Sequence, residues 1–150
     1  MKLNREKVHI IFTDDDMDDC NMFADALTEV GINHSLNLFH DGKDLLAYLN
    51  KEDTKVPDIL FLDLNMPFTN GLDSLKQIRS NKKYRDLTIA IYSTSSSEKD
   101  QEETFIAGAN VYIRKPNEFS TLKRVLKDVL EINWQYYSSN LNKDTFFLTL

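Results

Sequence analysis

The sequence is poor in the residues that cross-link small proteins or interrupt chains. It has one cysteine, Cys20, so an internal disulfide framework and a cysteine-based zinc cage are both excluded. Four Gly and three Pro in 150 residues exclude a collagen-like or linker-dominated chain. No run approaches the ~18 apolar residues that a membrane span needs. Nothing behind Met1–Lys7 has the apolar length of a signal peptide, so the expected compartment is the cytoplasm, with no membrane contact. Positive charge is also scarce. Against 24 Asp and Glu stand 18 Lys and Arg, a formal net charge of -6, which argues against direct nucleic-acid binding and suits a basic partner.

What is present is ordinary for a soluble globular protein: 41% hydrophobic and 28% charged residues. The length fits one domain, which at this size buries roughly 70% of the unfolded chain's surface. No solenoid repeat, low-complexity tract or interdomain linker interrupts it.

Two apolar patterns alternate along the chain. Continuous runs at Val8–Phe12, Ile59–Leu62, Ile89–Tyr92 and Val111–Ile113 read as buried strands. Ser35–Phe39 alternates, with Leu36 and Leu38 on one face, and reads as an edge strand. Helical spacing follows each run. Phe23, Ala26, Leu27 and Val30 form one stripe, ended by Gly31. Leu45, Leu46 and Leu49 form a second, and Leu72, Leu75 and Ile78 a third, entered through Asn70-Gly71. A fourth helix runs from about Ser97 to Gly108, and Leu122, Val125, Leu126, Val129 and Leu130 mark a fifth. Five βα units predict an α/β fold, a doubly wound parallel sheet with helices on both faces. The pattern ends near Trp134. The segment Gln135–Leu150 is too short for an output domain, and its apolar end predicts docking on its own domain or on a second copy.

In such a sheet, ligands bind beyond the carboxyl ends of the strands. The first strand ends in Asp14-Asp15-Asp16, the third in Asp63 and the fourth in Ser93-Thr94, while Lys115-Pro116 follows the fifth. Carboxylates so close together repel and raise one another's pKa unless a cation joins them. Magnesium prefers oxygen ligands and keeps several waters, which leaves room for a substrate oxygen. A cation, a lysine and a hydroxyl around a carboxylate can hold a phosphoryl group, and the carboxylate can attack it to form an acyl phosphate.

These residues resemble the receiver domain of bacterial two-component response regulators. The resemblance rests on Asp14-Asp15, on Asp63-Leu64-Asn65-Met66-Pro67 with Gly71, on Ser93-Thr94, and on Tyr112-Ile113-Arg114-Lys115-Pro116. It covers residues 6–133 and leaves 134–150 as a C-terminal extension, so the chain resembles the stand-alone, single-domain type. It implies a flavodoxin-like five-stranded sheet of order 2-1-3-4-5 with five surrounding helices. It implies Asp63 as phosphoacceptor, with Asp14, Asp15, Asp63 and the Asn65 carbonyl around Mg2+, Mn2+ being the alternative ion. Ser93, the Thr94 amide and Lys115 would hold the phosphoryl oxygens, and the Lys115–Pro116 bond would be cis. Ser93 would move toward the phosphoryl group and Tyr112 would turn inward into the vacated space. The donor would be a histidine kinase or histidine phosphotransfer protein. A downstream protein would read the face of the fourth helix, fifth strand and fifth helix, and a homodimer is left open.

Plainer readings stand beside these. Asp18 and Asp19 read as a solvated first helical turn and Asp16 as a cap. An EF-hand loop fails, because it wants Gly where Asp19 stands and Glu where Asp25 stands. Ser97-x-x-Asp100 reads as a capping box, Gly71 as a backbone requirement and Cys20 as a small packing residue. Tyr112 has two readings, core aromatic and switch. The rival function is an aspartyl-nucleophile phosphatase of haloacid-dehalogenase type, which wants an acid where Asn65 stands.

Overall fold

A computed structural model describes residues 7–66, 70–131 and 147–148. Pro67 of the strand-end motif, the domain boundary near 133, and residues 135–146, 149 and 150 of the tail lie outside the described residues. The elements run β1 (Val8–Thr13), α1 (Met17–Val30), β2 (His34–Phe39), α2 (Gly42–Leu49), β3 (Ile59–Leu62) and α3 (Gly71–Ser80). After a 3-10 turn at Lys82–Tyr84 come β4 (Thr88–Ser93), α4 (Glu98–Ile106), β5 (Val111–Arg114), α5 (Phe119–Glu131) and β6 (Phe147–Leu148). The strands form one sheet of order β2-β1-β3-β4-β5-β6, and every neighbouring pair is parallel.

The expected 2-1-3-4-5 sheet is present, with a two-residue sixth strand added at the β5 edge. Phe147 pairs with Tyr112 and Leu148 with Ile113, so the tail reaches its own domain. No periodic pattern in two residues could have predicted a strand.

The period-2 alternation of side chains divides the core into two layers. On one face Ile10, Phe12, Ile59, Phe61, Tyr92 and Ile113 pack against Cys20, Phe23 and Leu27 of α1 and Leu122, Val125 and Leu126 of α5. On the other, Ile11, Leu60, Leu62, Ile89, Ile91 and Tyr112 pack against Leu45 and Leu49 of α2 and Leu75 and Ile78 of α3. β1, β3 and β4 are covered on both sides, which explains their unbroken apolar runs. Edge strand β2 departs from its expected pattern: Leu36 packs on the core, but Leu38 is 37% exposed, while Phe39 packs beside Tyr48 on the opposite face.

The helices start and stop where local chemistry allows. Asp16 caps α1 by accepting from the amides of Asp18 and Asp19, and Gly31 ends it at a φ of 83°. Helix α4 is the exception in packing, since Thr104 is its only buried residue and Ile106 is 74% exposed. Its C-terminal end is held from outside by Arg79. The Arg79 guanidinium donates to the Gly108 carbonyl (2.8 Å), the Tyr84 carbonyl (2.8 Å) and Asn110 Oδ1 (2.8 Å).

Gly71 opens α3 hard against the end of β3. Its amide donates to the Leu64 carbonyl (2.9 Å), and a Cβ at this position would overlap the Asp63 carbonyl oxygen and the Leu64 Cα. Glycine is required here by close backbone approach, as expected from the sequence. Replacing it by alanine forces the backbone at Asp63–Leu64 or at the start of α3 to shift. Thermal denaturation of Gly71→Ala should show a melting temperature lower by roughly 3–10 °C, the consequence of ~1–3 kcal/mol of overpacking. An unchanged melting temperature would contradict the contact.

Candidate functional site

Sheet register brings the predicted residues to one edge. Thr13 pairs with Phe39 and with Leu62, so Asp14 and Asp63 are the next residues on adjacent strands. The Asp14 amide donates to the Phe39 carbonyl (3.0 Å) and the Asp63 amide to the Thr13 carbonyl (3.0 Å), which extends the ladder to both acids. Ser93 pairs with Arg114, and the Lys115 amide donates to the Ser93 carbonyl (2.8 Å), so Lys115 enters from the fifth strand. The Lys115–Pro116 bond is trans, as is every peptide bond among the described residues, which corrects the expected cis bond. Trans is the X–Pro preference by ~0.5–1 kcal/mol, and Lys115 reaches the acids without the cis form.

Burial and charge then set the electrostatics. Asp14 is fully buried, Asp63 is 4% exposed, and Asp15 is exposed. One carboxylate oxygen from each of the three lies within 4.8 Å of the others. Loss of hydration pushes the Asp63 carboxyl up to about 7, with the Asp14 charge adding to the rise and Lys115 opposing it. Burial raises Asp14 as well. Asp14 Oδ1 accepts from the Asp16 amide (3.0 Å), and Asp63 Oδ1 accepts from the Asn65 amide (3.3 Å). Asp14 Oδ2 is buried and takes no directed hydrogen bond. Three carboxylates this close, one with a buried oxygen whose only near donor among the described residues is the poorly aligned Lys115 ammonium, fit a hard divalent cation with oxygen ligands.

Lys115 is the counter-charge. Its ammonium lies 2.8 Å from Asp14 Oδ2, 2.8 Å from Asp19 Oδ2 and 3.7 Å from Asp63 Oδ2. The contact with Asp19 is a directed hydrogen bond; that with Asp14 is close but poorly aligned. Burial works to lower the lysine's pKa, but bonding to Asp14 and Asp19 outweighs it and the net shift is upward. The ammonium also sits 5.7 Å from the centre of the Tyr92 ring.

The β4–α4 loop forms the other wall. Ser93 is fully buried and its Oγ accepts from the Ser95 amide (3.1 Å), while Thr94 is exposed. Ser95 Oγ donates to Asp100 Oδ2 (2.6 Å) and accepts from the Ser97 amide (3.2 Å). Ser97 caps α4 through the Asp100 amide (3.0 Å) as expected. The return half of the capping box is absent, because Asp100 spends its carboxylate on Ser95. Tyr112 is fully buried, its hydroxyl donating to the Ser95 carbonyl (2.9 Å) and interacting with Ser93. The ring thus already lies inside, hydrogen-bonded to the loop that carries Ser93 and Ser95.

Sequence reasoning missed three residues. Asp19 is no solvated helix-start acid but a partner of Lys115, a residue 96 positions away that the local pattern could not reveal. Tyr92 under Lys115 and Asp100 behind Ser95 carry no signal in the sequence. Cys20 behaves as read: it is buried, its thiol contacts the Asp14 carbonyl (3.4 Å), and burial pushes its pKa up to about 11.

Comparison with known proteins converges on this geometry. A family model described as "Response regulator receiver domain" matches residues 3–127. A "Chemotaxis protein CheY homolog" of Campylobacter jejuni is 35% identical over 123 residues, 81% of this chain and 91% of that protein. The crystal structure of the phosphorylated cyanobacterial phytochrome response regulator RcpA superposes with a TM-score of 0.76 at 26% identity, covering 91% of this chain and 98% of that one. The bacteriophytochrome response regulator RtBRR gives 0.71 at 30% identity, covering 86% and 81%. No helix among the described residues is long and apolar enough to cross a membrane. With a parallel 2-1-3-4-5 sheet, an acid pair after β1, an acid after β3 and a lysine after β5, the chain belongs to the response regulator receiver domain family.

Proposed function

We propose that this receiver domain takes its phosphoryl group on Asp63, from a phosphohistidine of a histidine kinase or histidine phosphotransfer protein. One observation carries the reading: Asp63 is a nearly buried carboxylate at a strand end, with Lys115 held 3.7 Å away and two further acids beside it. An Asp63 oxygen attacks phosphorus, the phosphorus–nitrogen bond breaks, and the donor imidazole departs with the electron pair. Lys115 neutralises the phosphoryl oxygens; Ser93 and the Thr94 amide hold them at the β4 end. Asp14, Asp15, Asp63 and the Asn65 carbonyl would hold Mg2+, or Mn2+, which supplies positive charge against both the carboxylates and the phosphoryl group.

The output is a changed surface. Tyr112, Ser95 and Asp100 link Ser93 to α4, so a shift of Ser93 alters the α4–β5–α5 face offered to a downstream protein. On this reading the domain is a cytoplasmic signalling module, and its chemistry is confined to its own phosphorylation and dephosphorylation. Asn65 weighs against the phosphatase alternative, since an amide cannot serve as the general acid–base that such an enzyme needs two residues beyond its nucleophile.

Incubation with phosphoramidate and Mg2+ should add one phosphoryl group by intact mass spectrometry. The addition should vanish with EDTA and in Asp63→Asn, and an ordinary phosphate ester should show no steady turnover. A phosphorylated Asp63→Asn protein would refute the assignment.

The raised Asp63 carboxyl also makes stability depend on pH. Between the unfolded value of 3.8 and about 7, the folded state binds more protons than the unfolded state, so stability falls as pH rises through that window. In EDTA the melting temperature should therefore drop from pH 5 to pH 8 by at least about 3 °C. Mg2+ should restore it at pH 8, and Asp63→Asn should flatten the dependence. A melting temperature that rises over this window in wild type alone, relative to Asp63→Asn, would contradict the electrostatic picture.

A further inference from the structure

We infer that Asp19 is a positioning residue for phosphoryl transfer: it holds the Lys115 ammonium in place from the α1 side, so that the ammonium stays beside Asp63. The inference rests on the reading of Asp63 as phosphoacceptor. An ammonium has three protons to give. In the structure Asp19 Oδ2 takes a well-aligned bond at 2.8 Å, Asp14 Oδ2 lies equally close but off-axis, and Asp63 Oδ2 is at 3.7 Å. The directed bond is thus the one to Asp19, and the Asp63 side is left with a gap wider than a hydrogen bond, on the side where a phosphoryl oxygen would sit.

Asp14 cannot serve as the holder during transfer. It is also one of the three acids that fit a divalent cation, and a carboxylate engaged by a cation attracts an ammonium less. A lysine facing a cation across a shared carboxylate is pushed outward. Its four-carbon stem is flexible, and solvent is close, since its side chain is 12% exposed. Asp19 opposes that movement from outside the group of acids facing the cation. Its own backbone is anchored, because its amide donates to the capping carboxylate of Asp16 (3.3 Å). The bond is no ordinary surface pair: the Asp19 side chain is 31% exposed and its partner far less.

The test is a double-mutant cycle on the phosphorylation rate with phosphoramidate at saturating Mg2+, followed by intact mass. Asp19→Ala should slow phosphorylation about tenfold, and Asp19→Asn, which keeps an acceptor but loses the charge, should slow it less. In a Lys115→Ala background, Asp19→Ala should change the rate by no more than about twofold, because its effect passes through the lysine. Far-UV circular dichroism checks folding, and Asp19→Asn serves if Asp19→Ala does not fold. An unchanged or faster rate in the folded single variant overturns the inference. So does an equal loss in both backgrounds, which is the mark of a merely structural role. A wild-type chain that takes no phosphoryl group removes the Asp63 reading itself, and that failure is read from the wild-type sample alone.

Discussion

Three acidic side chains held within a few ångströms, two of them out of water, are the constraint on which the rest of this structure depends. Such a group is costly to assemble and, among the described residues, the Lys115 ammonium is the cation paired with it. Everything around it works to place that ammonium and to keep the acids from relaxing apart. Strand register sets Asp14 and Asp63 side by side, and Gly71 lets α3 begin directly against the Asp63 carbonyl and the Leu64 Cα. Lys115 arrives on the last full strand, two strands away, through a ladder bond to Ser93. The sheet is thus a frame for bringing distant parts of the chain to one point of high charge density.

The same frame explains how much of the site the sequence displayed. Continuous apolar runs announced β1, β3 and β4 because both faces of each are covered, and the residues that end such runs must lie at the carboxyl edge. That reasoning located Asp14, Asp63, Ser93 and Lys115 without coordinates. It failed where partners are set by side-chain reach alone. Asp19 looks like any acid in a first helical turn until the lysine from 96 residues away is seen beside it. Asp100 looks like half of a capping box, yet its carboxylate turns to Ser95. Leu38 fits an alternating stripe, but at an edge strand one face is partly open and the stripe does not hold. The β6 pairing was out of reach for another reason: two residues carry no period, and the partner edge decides.

The site has two sides with different mechanical character. Toward α1, Lys115, Asp14, Asp19 and the ring of Tyr92 are held by charge against a well-packed core that includes α5. Toward α4, the contacts are short hydrogen bonds among Ser93, Ser95, Asp100 and Tyr112, and the helix beyond them buries almost nothing. On the proposed reading, a phosphoryl group at Asp63 would therefore meet a well-packed wall and a lightly packed one.

Arg79 anchors one end of the lightly packed side. By gripping the carbonyl of Gly108 together with Asn110 and Tyr84, it makes the C-terminal end of α4 a fulcrum bolted to α3 and the sheet. The opposite end of the helix hangs from the Ser95–Asp100 bond. A helix fixed at one end and pulled at the other is a lever. On the proposed reading the surface around Glu98 would travel farthest and the surface around Ile106 would pivot in place, so that a partner gripping the anchored end would sense a change of angle and not of distance.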